Sequence, residues 1–400
     1  MTEKRILILS SYYQPDLSAG SFRATALVES LLEQTSSKLK IDVITTLPNR
    51  YNSFSSQAKE QEIEGRLSIR RIKLPKHSGG MISQSKAYVH YARAVSKLTG
   101  GEHYDLVYAT SGRLMTAVLG AWIARRLGTP LYLDIRDIFV DTIKDVLPKK
   151  AAFLLKPLFS LFERWAINRA VHVNLVSQGF ESYFKSRYPA QSFSYFTNGI
   201  DEEFLHGSFE KKAADHDVNN PIRVVYAGNM GEGQGLHAII PPVANRLKGR
   251  IAFKLIGDGG RRRQLEAALV EAGVANVELV APMSREELIK EYLAADVLFL
   301  HLNDYDAFKK VLPSKIFEYA ALGKPIWAGV SGYAAQFLHD EVKNAAVFQP
   351  CDTDQAIKVF EQLHLRDTPR EIFVEKFSRK HIMKTMAAHV ISRIGPNALG

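Results

Sequence analysis

The residues most able to do chemistry in this 400-residue chain stand in the stretch LPSKIFEYAALGKPI, residues 312–326. Pro313 and Ser314 have the chemistry of a helix start, with Ser314 read as the N-cap. Lys315 then adds a full positive charge beside the partial positive charge of a helix N-terminus. That arrangement opposes the helix dipole unless an anion sits there. Glu318, nearly one turn on, has the reach to accept two hydroxyl protons from a ribose. A plain surface pair at i, i+3 contributes only about 0.2–0.5 kcal/mol, so the placement reads as ligand chemistry.

Three glycine-rich turns follow apolar runs, where backbone N–H groups can approach a phosphate. They are SYYQPDLSAGSFRA (11–24) with Gly20 before a helix, AGNMGEGQGL (227–236) with Asn229, Gln234 and Gly235, and GDGGRRR (257–263) with Gly257, Asp258 and Arg261. The second lacks the G-x-G-x-x-G spacing of a dinucleotide fingerprint, so NAD is not implied. Asp134-Ile135-Arg136-Asp137 ends another apolar run; Arg136 or Asp137 can face a ligand there, and Asp137 can equally cap a helix. Asp304-Tyr305-Asp306 has the D-x-D form that holds a divalent metal in some enzymes. Hard cations want several oxygens and no other carboxylate joins it, so no metal is expected. The twelve histidines form no metal-ligand pair.

The elements that must position these residues alternate. Strand-like runs at 5–10, 41–47, 67–74, 105–110, 130–135 and 171–177 are separated by helical periodicity, as in 22–34 and 114–128. A polar segment, 201–221, reads as a linker. Alternation restarts at 223–229, 251–259, 277–282, 297–302, 325–330 and 345–350. The pattern predicts an α/β fold of two tandem doubly wound, Rossmann-like domains facing each other across a cleft. The pattern places the hinge near residues 200–220.

Composition narrows the class. The chain is 46% hydrophobic and 24% charged, that of a folded protein. Its one cysteine, Cys351, cannot form an internal disulfide, which fits a reducing compartment. The N-terminus reads as a first strand and not a signal peptide, and the apolar stretch 151–167 is interrupted by charge and proline. Residues 1–200 hold 27 Lys/Arg against 16 Asp/Glu, whereas residues 201–400 hold 25 against 26. A basic first half is suited to an anionic membrane surface, with region 66–97 as the lipid-facing candidate and 149–169 as the second. No basic-aromatic signature of nucleic-acid recognition is present.

Taken together, YYQPDLSAGSFRA, ERWA (163–166) leading into VNLVSQGF, TNGIDEEF (197–204), IGDGG and LPSKIFEYAALGKPI resemble the retaining glycosyltransferases of family 4, which have the GT-B fold. The resemblance covers nearly the whole chain. It implies a C-terminal domain (222–374) that binds a nucleotide sugar, an N-terminal domain (1–200 with 375–400) that binds the acceptor, and a last segment (375–391) that returns to the N-terminal domain. It assigns Glu318 to the ribose, and the turn at Leu312-Pro313-Ser314 to the diphosphate through backbone amides. Catalysis would then need no enzymic nucleophile, the departing phosphate taking the acceptor's proton.

The sequence departs from the family at three places. Lys310 stands where the family has its first glutamate, and Asn229 and Gln234 replace an Arg and a Lys. Lys315, Arg261 and Lys309 or Lys310 are then expected to supply the cationic charge. The combination G-N-x-G-x-x-Q-G-L with P-S-K-x-x-E-Y resembles a branch that assembles bacterial surface polysaccharides, often from N-acetylated amino or deoxy sugars. The expectation is a cytoplasmic, membrane-peripheral, hexosyltransferase-type enzyme using a UDP- or GDP-sugar and a lipid-linked or glycan acceptor, independent of metal. The alternatives are a GT-B epimerase or hydrolase and a non-catalytic nucleotide-sugar-binding scaffold.

Overall fold

The computed structural model describes residues 3–16, 18–35, 38–48, 58–75, 81–112, 114–138, 140, 149–205 and 220–394. The chain divides into two compact units, Met1–Asn198 with Arg379–Gly400 and Gly199–Ser378. The chain therefore crosses between the units at 198–199 and 378–379, and the polar segment read as a linker falls inside the second unit.

Unit 1 is built on an eight-stranded sheet in the order β3–β4–β2–β1–β5–β6–β7–β8. Its strands are β1 (Lys4–Leu9), β2 (Leu39–Thr46), β3 (Gln61–Glu64), β4 (Leu67–Ile72), β5 (Leu106–Ser111), β6 (Leu131–Ile135), β7 (His172–Leu175) and β8 (Phe193–Ser194). All neighbours run parallel except β3, which pairs antiparallel with β4. Ile6 to Leu9 are fully buried, as expected of a central parallel strand covered on both faces. The helices are α1 (Ala19–Gln34), α2 (Met81–Leu98), α3 (Leu114–Leu127), α4 (Lys149–Arg169) and α5 (Glu181–Arg187). Because β1 sits beside β5, the connections leave this pair in opposite directions, which makes their carboxyl ends a topological switch point.

Unit 2 has six parallel strands in the order β11–β10–β9–β12–β13–β14. They are β9 (Ile222–Asn229), β10 (Ile251–Asp258), β11 (Val277–Val280), β12 (Val297–His301), β13 (Ile326–Gly329) and β14 (Ala345–Phe348). The switch point here lies between β9 and β12. Helices α6 (Leu236–Arg246), α7 (Arg262–Glu271), α8 (Arg285–Leu293), α9 (Lys315–Ala321), α10 (Tyr333–Glu341), α11 (Thr353–Phe360) and α12 (Glu371–Phe377) belong to this unit. Phe253, Phe299, Trp327 and Phe348 form its aromatic core, and Trp327 donates its buried indole N–H to the Ala356 carbonyl at 3.1 Å. Truncating such a side chain to alanine costs about 3–5 kcal/mol.

The last helix, α13 (Arg379–Ile391), returns to unit 1 and packs on α1 through fully buried Met383, Met386, Ala387 and Val390. Arg23 and Asp134 lie beneath it, 1% and 0% exposed, in a bidentate ion pair of 2.8 and 2.9 Å. Arg23 also donates to the carbonyls of Phe196 and Thr197, and Asn174 donates to Asp134. Both buried charges are thus hydrogen-bonded beyond each other, which is the condition for such a pair to be tolerated.

Region 66–97 does not present all of its charge to solvent. Arg71 is buried, donating to the carbonyls of Lys59 and Gln14, and Arg66 donates to the Leu32 carbonyl at 2.7 Å. These two arginines lie in and beside a sheet strand, so they satisfy backbone carbonyls and do not form a lipid-facing surface; Lys86, Arg93 and Lys97 on α2 are exposed. Among the described residues, no helix is long and apolar enough to cross a membrane.

Candidate active site

In unit 2 the predicted residues gather at the carboxyl ends of β9, β10 and β12. Gly228, at the end of β9, has φ 146°, a conformation that favours glycine. A Cβ added to it would lie 2.5 Å from Cε and 2.8 Å from Nζ of Lys315. The Lys315 ammonium therefore rests against the main chain of the first strand, 87 residues away in sequence. Gly257 pairs with Gly228 across the sheet and has φ 145°; a side chain there would overlap the Gly228 carbonyl oxygen. Two glycines thus let β9 and β10 end flush beneath Lys315.

Lys315 is the first residue of α9 and Glu318 lies in its first turn. Burial holds the Lys315 ammonium below its ordinary pKa; Glu318 opposes that shift, and Arg285 adds to it. Arg285, at the start of α8, bonds Asp201 and lies 3.3 Å from Glu203. Burial works against its charge as well, but Asp201, Glu318 and Glu203 hold its pKa above the ordinary value. The site therefore has two cations and Glu318 within electrostatic range, with no hydrogen bond to the Lys315 or Glu318 side chain among the described residues. Ser314 is a correction: it stands at the N-cap position with helical backbone (φ −60°, ψ −27°), and its side chain makes no capping bond. An N-cap hydroxyl reaches back only from extended backbone.

The glycine loop after β9 is held by its own side chains. Asn229 donates to Gln234 Oε1 at 2.8 Å, and the Gly231 N–H points at the same oxygen at 3.3 Å. Gly235 takes the left-handed conformation (φ 57°) directly against Asn303, which donates to the Glu232 carbonyl. Arg261 is bonded to Glu232 and donates to Gln264 at 2.8 Å, on an exposed surface. Asp258 accepts from the Gly259 N–H. So Asn229 and Gln234 spend their amides on each other, and Arg261 is paired with an acid.

His301, fully buried at the end of β12, was not among the sequence candidates. Its Nε2 accepts from the Cys351 N–H at 2.9 Å, so Nδ1 carries the proton and donates to the Gln234 carbonyl at 2.7 Å. Burial lowers its pKa to about 4, which keeps it neutral. It pins the glycine loop to the sheet. Arg285 was missed too, although Ser284-Arg285-Glu286-Glu287 is a visible capping box: Ser284 and Glu287 exchange hydrogen bonds of 3.0 and 3.3 Å.

In the D-x-D stretch, Asp306 pairs with Lys309 at 2.9 Å and Tyr305 donates to Glu232. Among the described residues no three His, Cys, Asp or Glu side chains converge as a metal site.

In unit 1, Arg136 lies against the start of α1: a side chain on Gly20 would overlap its guanidinium, and one on Gly112 would come within 3.8 Å. Arg136 thus occupies the switch point between β1 and β5. Burial pushes its pKa down while Asp137 and Asp134 push it up, and its Nε has no hydrogen-bond partner. Asp137 is exposed, and the residues it would cap lie outside those described.

These two sheets carry known domain signatures. Residues 24–199 match the family described as Glycosyl transferase 4-like domain, and residues 208–379 match Glycosyl transferases group 1. Each half of the chain carries a glycosyltransferase domain. A putative colanic acid biosynthesis glycosyl transferase from Escherichia coli, WcaI, is 26% identical over 216 residues. That match takes in 50% of this chain and about half the length of the relative, 51%. Among solved structures, a sucrose-phosphate synthase from Thermosynechococcus elongatus superposes with TM-score 0.73 at 15% identity, covering 97% of this glycosyltransferase and 98% of that chain. Anabaena HepE in complex with UDP and glucose gives 0.66 at 15% identity, covering 97% and 99%. At such identity the likeness is one of fold.

Proposed function

We propose that this glycosyltransferase transfers a sugar from a UDP- or GDP-sugar to a lipid-linked or glycan acceptor with retention of anomeric configuration, in bacterial surface-polysaccharide assembly at the inner face of the plasma membrane. The observation that carries the reading is the partly buried Lys315 ammonium, desolvated against Gly228 with no bonded carboxylate among the described residues and with Glu318 nearly one turn on. A buried cation without a bonded counter-ion is costly, and a diphosphate placed there would relieve that cost. Glu318 would accept the ribose hydroxyls, and Ser314 with the α9 amides would face the diphosphate. As the sugar–phosphate bond breaks, negative charge grows on the leaving oxygen, where Lys315 stabilises it. The leaving phosphate takes the acceptor proton, so no enzymic nucleophile enters. On the acceptor side, Arg136 and Gly20 offer the anion-attracting position of unit 1.

The glycine loop fits the same reading. Asn229 and Gln234 shape it, Gly235 and Gly257 let its backbone pack against Asn303 and Gly228, and Asp258 and Arg261 border it. The HepE complex with UDP and the colanic acid relative favour a nucleotide-sugar donor and polysaccharide assembly.

Thermal shift against UDP, GDP, ADP and their sugars tests the reading. A ligand at 100 times its Kd adds about 2.7 kcal/mol of stability. A UDP or GDP response, followed by release of the nucleotide only when an acceptor is present, is expected. Release without acceptor would favour an epimerase or hydrolase, and binding without turnover a scaffold.

A further inference from the structure

Unit 1 carries an apolar groove of about 940 Å³ between α2, α3 and α4, lined by Tyr88, Ala92, Met115, Trp122, Leu161 and Trp165 among others. It has the size of a small-molecule site. Nothing among the described residues fills it, and its walls leave large apolar side chains in water: Trp122 is 43% exposed and Leu161 61%, with Phe153 at 84% further along α4. Apolar area of this kind on a folded protein marks an interaction site.

Charge and position identify the occupant. The three helices hold ten Lys/Arg and one Asp/Glu, and that acid, Glu163, is buried and bonded by Tyr183 and Tyr188. Arg126 lies over the Trp122 ring at 5.0 Å, and exposed Arg93 lines the groove itself. The groove begins at Met115, three residues after Gly112, where the Arg136 guanidinium sits. Three residues of chain span at most about 10 Å. From Met115 to Trp122 the groove follows α3 for about another 10 Å. A cation therefore lies within that reach of the Met115 end of an apolar groove that follows one helix, which matches the outline of an amphiphile with an anionic head.

We infer that this groove holds the hydrocarbon chain of the lipid-linked acceptor, with the lipid's phosphate facing Arg136. The inference rests on the acceptor reading above and adds a site for the lipid tail. Each methylene seated there would tighten binding about fourfold, so tail length would set acceptor affinity.

The test uses 12-bromododecyl phosphate below its micelle concentration, because bromine quenches tryptophan emission on contact and Trp122 and Trp165 line the groove while Trp327 lies in the core of unit 2. Saturable quenching is expected. The groove-filling variant Ala92→Phe should weaken it at least tenfold while keeping the wild-type melting transition of unit 1 and the wild-type melting shift with UDP, which together show both units folded. Vesicles with 30% phosphatidylglycerol form the second arm, and flotation equal for wild type and Ala92→Phe is expected. Three results would overturn the inference: no quenching beyond that given by inorganic phosphate with bromide, equal quenching in Ala92→Phe, or loss of vesicle flotation in that variant. The last would make the groove a bilayer-docking site. A UDP shift that persists without quenching would sink the groove alone and leave the glycosyltransferase reading standing.

Discussion

The Lys315 ammonium lies across the α-carbon of Gly228, joining the start of α9 to the end of β9. Its burial is unfavourable in the free protein, which gives a double expectation for Lys315→Met. The ligand-free variant should be more stable by about 1 kcal/mol, a rise of roughly 2–4 °C in unit 2. Its UDP affinity should fall about 10- to 150-fold, the worth of a charged hydrogen bond. Calorimetry and titration check both, and an unchanged affinity would remove Lys315 from the site.

Proton linkage gives a second reading of the same residue. Burial depresses the Lys315 pKa, and a bound diphosphate should raise it again, so binding at alkaline pH should take up a proton. Titrations in two buffers of different ionisation enthalpy measure that uptake, which should vanish in Lys315→Met.

At Gly257 the obstacle is backbone: an added Cβ would overlap the Gly228 carbonyl, and φ is 145°. At Gly228 φ is 146° as well, but the nearest atoms are the flexible end of Lys315, with the Tyr226 hydroxyl at 3.3 Å. Gly257→Ala should therefore lower stability by about 1–3 kcal/mol. Gly228→Ala should show a larger loss of UDP affinity than its stability loss accounts for. Melting curves with and without UDP separate the two.

His301 sets an acid limit. Its unfolded pKa is about 6.5 and its folded value about 4. The folded-state pKa is depressed, so stability is fully present above about pH 6.5 and is lost as pH falls toward 4, at up to about 1.4 kcal/mol per pH unit. His172, lowered to about 3 by burial and then by the neighbouring His389, titrates in the same direction. His301→Phe should flatten the slope in part while costing about 1–3 kcal/mol at neutral pH for each orphaned backbone group.

In unit 1, Asp134→Leu leaves Arg23 buried without its counter-charge and should cost about 3–5 kcal/mol. Arg23→Met with Asp134→Leu should cost less than the sum of the single changes. Additive losses would show that the pair is not coupled.

Twelve of the strands lie where the apolar runs predicted them, because a parallel strand buried on both faces must be continuously apolar. The two missed strands carry no such signal: QEIE in β3 has one apolar residue, itself exposed, and β8 is two residues long. The site was legible as residue types but not as contacts. Serine after proline reads as an N-cap, yet Ser314 has helical backbone. No spacing rule brings Lys315 to Gly228, or Arg285 to Asp201 across 84 residues. The groove was hidden for a related reason: its apolar positions on α2, α3 and α4 have the same period as a helix packed on a core.

The return of α13 to α1 has a consequence for synthesis on the ribosome. Unit 1 begins first but lacks α13 until the 180 residues of Gly199–Ser378 have been made. At elongation rates of about 5–20 residues per second that is a wait of roughly 10–40 s, with the α1 face and the buried Arg23–Asp134 pair uncovered. Unit 2, contiguous in sequence, can complete its own fold within that interval. The first domain to emerge is therefore the last to be finished.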